Sequence, residues 1–168
     1  MKFSLKVSLG VHILLVAHFF SDVVRITGRL LTRSTGCNPV VVRTLVLSLK
    51  NSGILEVTRG PRGGTRLVRD PGKITLWDIF SAVDPESLKH LMTGVHTRSS
   101  LACPVGKRIP DILCRPYARI AAVIETEMRR ITLSDLFEGL SLDEIEAHRA
   151  LLTGMRKESR PGRGAPSG

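Results

Sequence analysis

Apolar positions crowd the start of the chain. MKFSLKVSLGVHILLVAHFF is a hydrophobic run broken by Lys6, His12 and His18. It has the look of a secretion signal, but no small-residue cleavage site follows, and it is too short and too interrupted to span a bilayer. The run predicts a buried first helix over residues 4–20, followed by a connection from Asp22 to Arg25. His12 and His18 have no Cys/His cluster nearby and are expected on the helix surface or in the core, not as ligands. TGRLLTRS (27–34) predicts a short second helix with Leu30 and Leu31 available for burial, and Thr35–Gly36 a tight turn.

The next stretch, TGCNPVVVRTLVLSLKNSG (35–53), specifies a third helix at both ends. Asn38 is a good N-cap, because its side-chain oxygen can accept from an amide of the first turn. Pro39 falls at the first helical position, where its missing N–H costs nothing. Val42, Leu45, Val46 and Leu49 recur at helical spacing and predict a buried stripe. Gly53 is placed to end the helix in a left-handed turn. Val40, Val41, Arg43 and Thr44 are left on the exposed side, where a helix with only a structural role usually shows acids and lysines.

Two short β-prone runs follow, ILEV and TRLV, with RGPRGG between them. This predicts a hairpin with proline and glycine at its tip. Arginines 59, 62, 66 and 69 line the arms and the tip, which suits a ribbon that reaches into a minor groove or along phosphates. A helix-turn-helix followed directly by such a hairpin is a winged helix.

ITLWDIFSAV (74–83) predicts a fourth helix capped by Thr75, with Trp77, Ile79, Phe80 and Val83 in the core. Residues 84–108 look irregular, apart from a short helix expected near Pro85–Met92. Residues 109–131 predict a long amphipathic helix that Pro116 kinks or delays. Its stripe of Ile120, Val123, Ile124, Glu127, Met128 and Ile131 runs past what one domain needs, which suggests helix-to-helix dimerisation; packing against the wing domain is the alternative. TLSDLFEGL (132–140) and SLDEIEAHRALLTGM (141–155) predict further short helices. The expected fold is mainly α with a small β-wing: a winged helix-turn-helix plus a long dimerisation helix. The expected domains are a DNA-binding unit over residues 1–84, a dimerisation and sensing region over 85–155, and a disordered basic tail over 156–168.

Charge sharpens this picture. Of the net +10, residues 1–70 hold 11 Lys+Arg against 3 Asp+Glu, residues 71–155 hold 10 against 11, and residues 156–168 hold 4 against 1. Positive charge gathered in the first half and the tail points to a polyanion partner, with nucleic acid the leading candidate. An enzyme finds little support, since the chain has no phosphate loop, nucleophile–His–acid pattern or metal-spaced cluster. A basic RNA-binding or ribosome-associated protein is the alternative from charge, disfavoured by the single Tyr and single Trp available for base stacking.

NPVVVRTLVLSLKNSGILEVTRGPRGGTRL, followed by DPGKITLWDIFSAV, resembles the Rrf-two (BadM-type) family of winged-helix transcriptional regulators. The resemblance covers most of residues 1–140. It implies a homodimeric bacterial regulator, acting as a repressor on double-stranded DNA in the cytoplasm, with the helix near 115–131 exchanged or packed across the dimer. It further implies that Asn38, Val40, Val41, Arg43 and Thr44 face the major groove, and that Arg59 and Arg62 face the minor groove or its phosphates. Arg43 can pair with guanine or hold a phosphate, while valines can contact a thymine methyl. The chain departs from the family pattern at Gly28 and Thr32 in the second helix.

Three cysteines at wide spacing, Cys37, Cys103 and Cys114, do not form a secreted disulfide framework. Some members of the resembled family bind an iron–sulfur cluster through three cysteines between the wing domain and the long helix. Here that region offers Cys103 and Cys114, fewer than a cluster takes, with His96 nearby in sequence. No cofactor is therefore expected. A thiol switch fits better: Cys37 precedes the cap of the third helix, at the positive end of its dipole. In a dimer, Cys103 of one subunit could meet Cys37 of the other if their Cα atoms come within about 7 Å. Cys114, in the apolar stripe, is expected to be structural.

Overall fold

The computed structural model describes residues 4–60, 63–87 and 103–158. Helix α1 (Leu5–Phe20) starts on Ser4, whose side chain accepts from the Lys6 amide at 3.2 Å. Ile13, Leu14 and Ala17 are wholly buried on it. Fully burying a side chain the size of leucine contributes about 1.5–3 kcal/mol, so this helix anchors the core. His12 is on its surface, 3.0 Å from the Ser34 hydroxyl, and so ties α1 to the end of the second helix.

Helix α2 (Gly28–Thr35) is capped by Thr27, whose hydroxyl accepts from the Leu30 amide at 3.2 Å. Leu31 is its buried anchor, and Leu30 packs at the core edge. The helix stops at Gly36, where φ is 65° and the amide donates to the Thr32 carbonyl. A left-handed turn of this kind suits glycine, and it lets α3 (Pro39–Asn51) leave at once in a new direction. Val42, Leu45 and Leu49 of α3 are buried, and Val46 is packed against the core.

The ribbon is antiparallel, β1 (Leu55–Thr58) with β2 (Gly64–Leu67), in a register that pairs Leu55 with Leu67 and Glu56 with Arg66. The Thr65 amide donates to the Ile26 carbonyl at 2.9 Å, which fastens the ribbon to the segment between α1 and α2. A 3-10 turn (Pro71–Lys73) leads to α4 (Leu76–Val83). Thr75 and Asp78 form a reciprocal capping box there, each side chain bonding the other's backbone amide. Ile79, Phe80 and Val83 are buried, and Trp77 is half-buried with the Arg129 guanidinium 5.3 Å over its ring. Gly10 of α1 lets α4 approach closely: a Cβ there would stand 3.2 Å from Val83 Cγ1.

Residues 85–87 are helical, and the rest of the short helix expected near Pro85–Met92 lies outside the described residues. The long helix α5 runs Pro104–Arg130, starting earlier than the pattern predicts and carrying Pro110 and Pro116 inside it without a break. Its start is built like that of α3, with a cap (Cys103) followed by proline at the first position. At 27 residues it is about 40 Å long. Among the described residues, its C-terminal part packs on the wing domain through Met128 and Ile124, and Ala121 is also buried. From there Thr132 bridges to Thr75, a 3-10 turn (Asp135–Gly139) follows, and α6 (Leu142–Glu158) returns to the end of α1. That return is aromatic: His18 stacks on Phe137 with ring centres 4.9 Å apart, and Phe20 meets His148 edge-on at 5.6 Å.

Candidate nucleic-acid interface

The exposed face of α3 is set by its cap. Asn38 Oδ1 accepts from the Val40 amide at 2.8 Å, so this oxygen serves the helix and only the amide nitrogen stays free for another partner. Beyond the cap, Val40 is 70% exposed and Val41 40% exposed, and Arg43 and Thr44 also face solvent. These four stand away from Val42, Leu45 and Leu49, which fill the core. Arg43 has no ion-pair partner among the described residues.

The wing arginines divide into two kinds. Arg66 donates to Glu56 across the ribbon at 3.1 Å, and Arg69 is held by the Lys73 carbonyl at 2.6 Å and Asp78 at 3.2 Å. Both are committed to the fold. Arg59 is exposed just past β1 and unpartnered among the described residues; Arg62 lies outside them. Of the four arginines that the sequence singles out, Arg59 is thus the one seen free at the tip.

Two features escaped the sequence reading. Leu47, on the third turn of α3, is 54% exposed and extends the outward face beyond Thr44. Arg29 and Arg33 are exposed on one side of α2, four residues apart, and have no acidic partner among the described residues. The signal for the arginines was their i, i+4 spacing, which puts both on the same helix face. Like charges held together in this way gain from an anion between them.

The cysteines fall in three settings. Cys37 is half-buried at the core edge, its amide donating to the Thr35 hydroxyl at 3.4 Å. Cys103 is exposed and caps α5, its Sγ accepting from the Gly106 amide at 3.4 Å. Cys114 is exposed, contrary to the structural place expected for it. Among the described residues, no helix is long and apolar enough to cross a membrane.

Comparison with known proteins agrees with this geometry. The model of the family described as "Rrf2: Iron-dependent Transcriptional regulator" matches residues 3–139. YwnA of Bacillus subtilis (strain 168), named as an HTH-type transcriptional regulator, is 28% identical over 135 residues, covering 80% of this chain and 96% of its own. Among solved structures, CymR of B. subtilis, described as the global cysteine regulator, is 20% identical with a TM-score of 0.58, covering 84% of this chain and 99% of its own. IscR of T. potens is 20% identical with a TM-score of 0.57, covering 85% and 90% respectively. The two solved structures share the fold of this chain.

Proposed function

The chain belongs to the Rrf2 family of transcriptional regulators, and on that premise we propose that it is a homodimeric cytoplasmic repressor of transcription whose hold on DNA changes when Cys37 and Cys103 are oxidised. The observation that carries the DNA-reading part is the face of α3 opposite the core. Val40 and Val41 are exposed apolar side chains with no packing role, beside an unpaired Arg43. A major groove supplies what that face lacks: thymine methyls for the valines, and guanine edges or phosphate for the arginine.

The remaining elements take supporting roles. Thr44 and the free amide nitrogen of Asn38 flank the groove contact. Arg59 and Arg62 at the wing, and Arg29 and Arg33 on α2, hold the sugar–phosphate backbone and fix the register without reading sequence. Exposed apolar residues on α5 pair with those of a second copy. The two α3 helices then address half-sites about one helical turn of DNA apart.

The family description names iron, and the described residues do not bring together a donor set that fits an iron–sulfur cluster. Cys103 and Cys114 are eleven residues apart on one helix, which separates them by about 16 Å along its axis. Among the described residues, no three His, Cys, Asp or Glu side chains come together. The proposed signal is therefore thiol oxidation. Cys37 of one protomer and Cys103 of its partner lose two protons and two electrons to a peroxide, which leaves as water, and the disulfide formed re-aims the recognition helices.

Titration of fluorescent duplex DNA at several salt concentrations tests the reading. Binding should weaken as salt rises, with a log–log slope near −0.9 for each phosphate contacted. Arg59→Ala and Arg62→Ala should each flatten that slope, whereas Val40→Ala should weaken selected sequences more than random ones. Equal affinity for single-stranded RNA and duplex DNA would sink the proposal.

A further inference from the structure

The recognition face of α3 is more apolar than its sequence suggests. Thr44 donates its hydroxyl to the Val40 carbonyl at 2.9 Å, one turn back along the helix. A hydroxyl spent in this way is a poor reader of base edges, and the side chain has a methyl group left to offer. Leu47, 54% exposed, continues the line one turn further. Val40, Thr44 and Leu47 therefore form an apolar strip along the helix, with Val41 at its flank and Arg43 as the adjacent charge.

The length of the strip fits the spacing of base pairs. From Val40 to Leu47 the helix rises about 10 Å, which spans about three base pairs at 3.4 Å each. In the major groove, the apolar group that base pairs present at their edges is the 5-methyl of thymine. A face built of methyl groups can gain little from the hydrogen-bonding edges of guanine, cytosine or adenine, and it leaves those edges desolvated without partners.

We propose that α3 reads its operator through pyrimidine 5-methyl groups, with Val40, Thr44 and Leu47 contacting successive base pairs. This rests on the DNA-binding reading above and adds the chemistry that is recognised. It has a consequence for modified DNA. 5-Methylcytosine carries the same methyl at the same ring position, so it should stand in for thymine, in part, where cytosine does not.

The experiment begins with selection of duplexes from a random library by the full-length protein, followed by synthesis of the best duplex in four forms. At each position where selection fixes thymine, the duplex carries thymine, uracil, cytosine paired with guanine, or 5-methylcytosine paired with guanine. Uracil should weaken binding about fourfold for each contacted methyl lost, from the transfer free energy of one such group. 5-Methylcytosine should bind more tightly than cytosine at the same position. Leu47→Ala, an exposed change that the fold tolerates, should abolish the thymine–uracil difference at one position and keep it at the others. Equal binding of the thymine and uracil duplexes overturns the inference and leaves DNA binding intact, as does a Leu47→Ala protein that keeps every thymine–uracil difference. A protein that selects no duplex overturns both.

Discussion

Arg149 grips Asp22 with both arms of its guanidinium, Nη1 to Oδ1 at 2.9 Å and Nη2 to Oδ2 at 2.5 Å. Nη1 also donates to the Phe19 carbonyl, one of the orphan acceptors at the end of α1. A bidentate pair is directional as well as charged, and this one fixes where α6 meets α1. The Arg149 guanidinium holds the Asp22 carboxyl below its ordinary range. Arg149→Ala should therefore loosen α6 without unfolding the core. Amide hydrogen exchange should speed up across residues 142–153 and stay unchanged in α3. Arg149→Lys, which brings a point charge without the fork, should restore only part of the protection. Unaltered exchange in α6 would mean that the aromatic contacts alone hold it.

Asn38 separates stability from DNA binding. Its Oδ1 caps α3, so Asn38→Ala should cost about 1 kcal/mol, a fall in Tm of about 3 °C for a chain of this size. Asn38→Asp keeps the capping oxygen and adds a charge that the helix N-terminus favours. It should melt like the natural protein. The same substitution replaces the free amide nitrogen with an oxygen that DNA phosphates repel, so duplex affinity should drop. Thermal melts and DNA titrations of both variants check this; an Asp variant with unchanged affinity would remove Asn38 from the interface.

Much of this was legible because the determinants are local. Asn38–Pro39 and Gly53 mark the ends of α3, and Thr75 with Asp78 marks the start of α4; each signal acts within a few residues. What failed to show depended on surroundings. Pro116 reads as a kink or a delayed start, yet α5 passes through it and through Pro110, since carbonyls deprived of an amide on this largely exposed helix can turn to solvent. Nothing near Leu47 in the sequence marks it as outward-facing, and only the position of the core shows that it points away. Arg59 and Arg66 are alike in sequence, but the strand register sets Arg66 opposite Glu56 and leaves Arg59 free.

His18 makes the fold sensitive to acid. Burial against Phe137 pushes its pKa below the ordinary 6.5, with Asp70 opposing and Arg149 adding to the shift. A histidine depressed in the folded state takes up protons more readily once unfolded. Stability is therefore fully present above about pH 6.5 and is lost as pH falls toward the folded-state value. Tm measured from about pH 8 down to about pH 5 should decline through that window. His18→Phe, which keeps the aromatic contact, should flatten the decline. Asp22, also depressed, adds a separate loss at lower pH, where its carboxylate is protonated.

The proposed thiol pair predicts a particular pattern on non-reducing gels. Peroxide should convert the natural protein and Cys114→Ser into a covalent dimer, while Cys37→Ser and Cys103→Ser should remain monomeric in denaturant. Cys103 is exposed and Cys37 half-buried, so alkylation of the reduced protein should reach Cys103 first. DNA affinity should change on oxidation only in the two proteins that cross-link. A covalent dimer that persists in Cys37→Ser would assign the bond to a different pair.

The long helix makes the sharpest claim about assembly. Val105, Ile112, Ile120 and Val123 are each more than half exposed on α5, and Ile120 and Val123 line an open groove with Arg115, Pro116 and Arg119. Toward the C-terminal end of the same helix Met128 is buried against the wing domain, whereas these four side chains have no core partner among the described residues. A helix about 40 Å long can supply the roughly 800 Å² per partner that a stable dimer buries. Ile120→Asp with Val123→Asp should therefore yield a monomer by sedimentation equilibrium. Its helical circular dichroism should be unchanged, because both positions face solvent in the protomer. That monomer should also bind DNA far more weakly, since two half-sites must then be filled independently and neither binding event raises the effective concentration of the other. A double variant that remains dimeric would move the interface off α5.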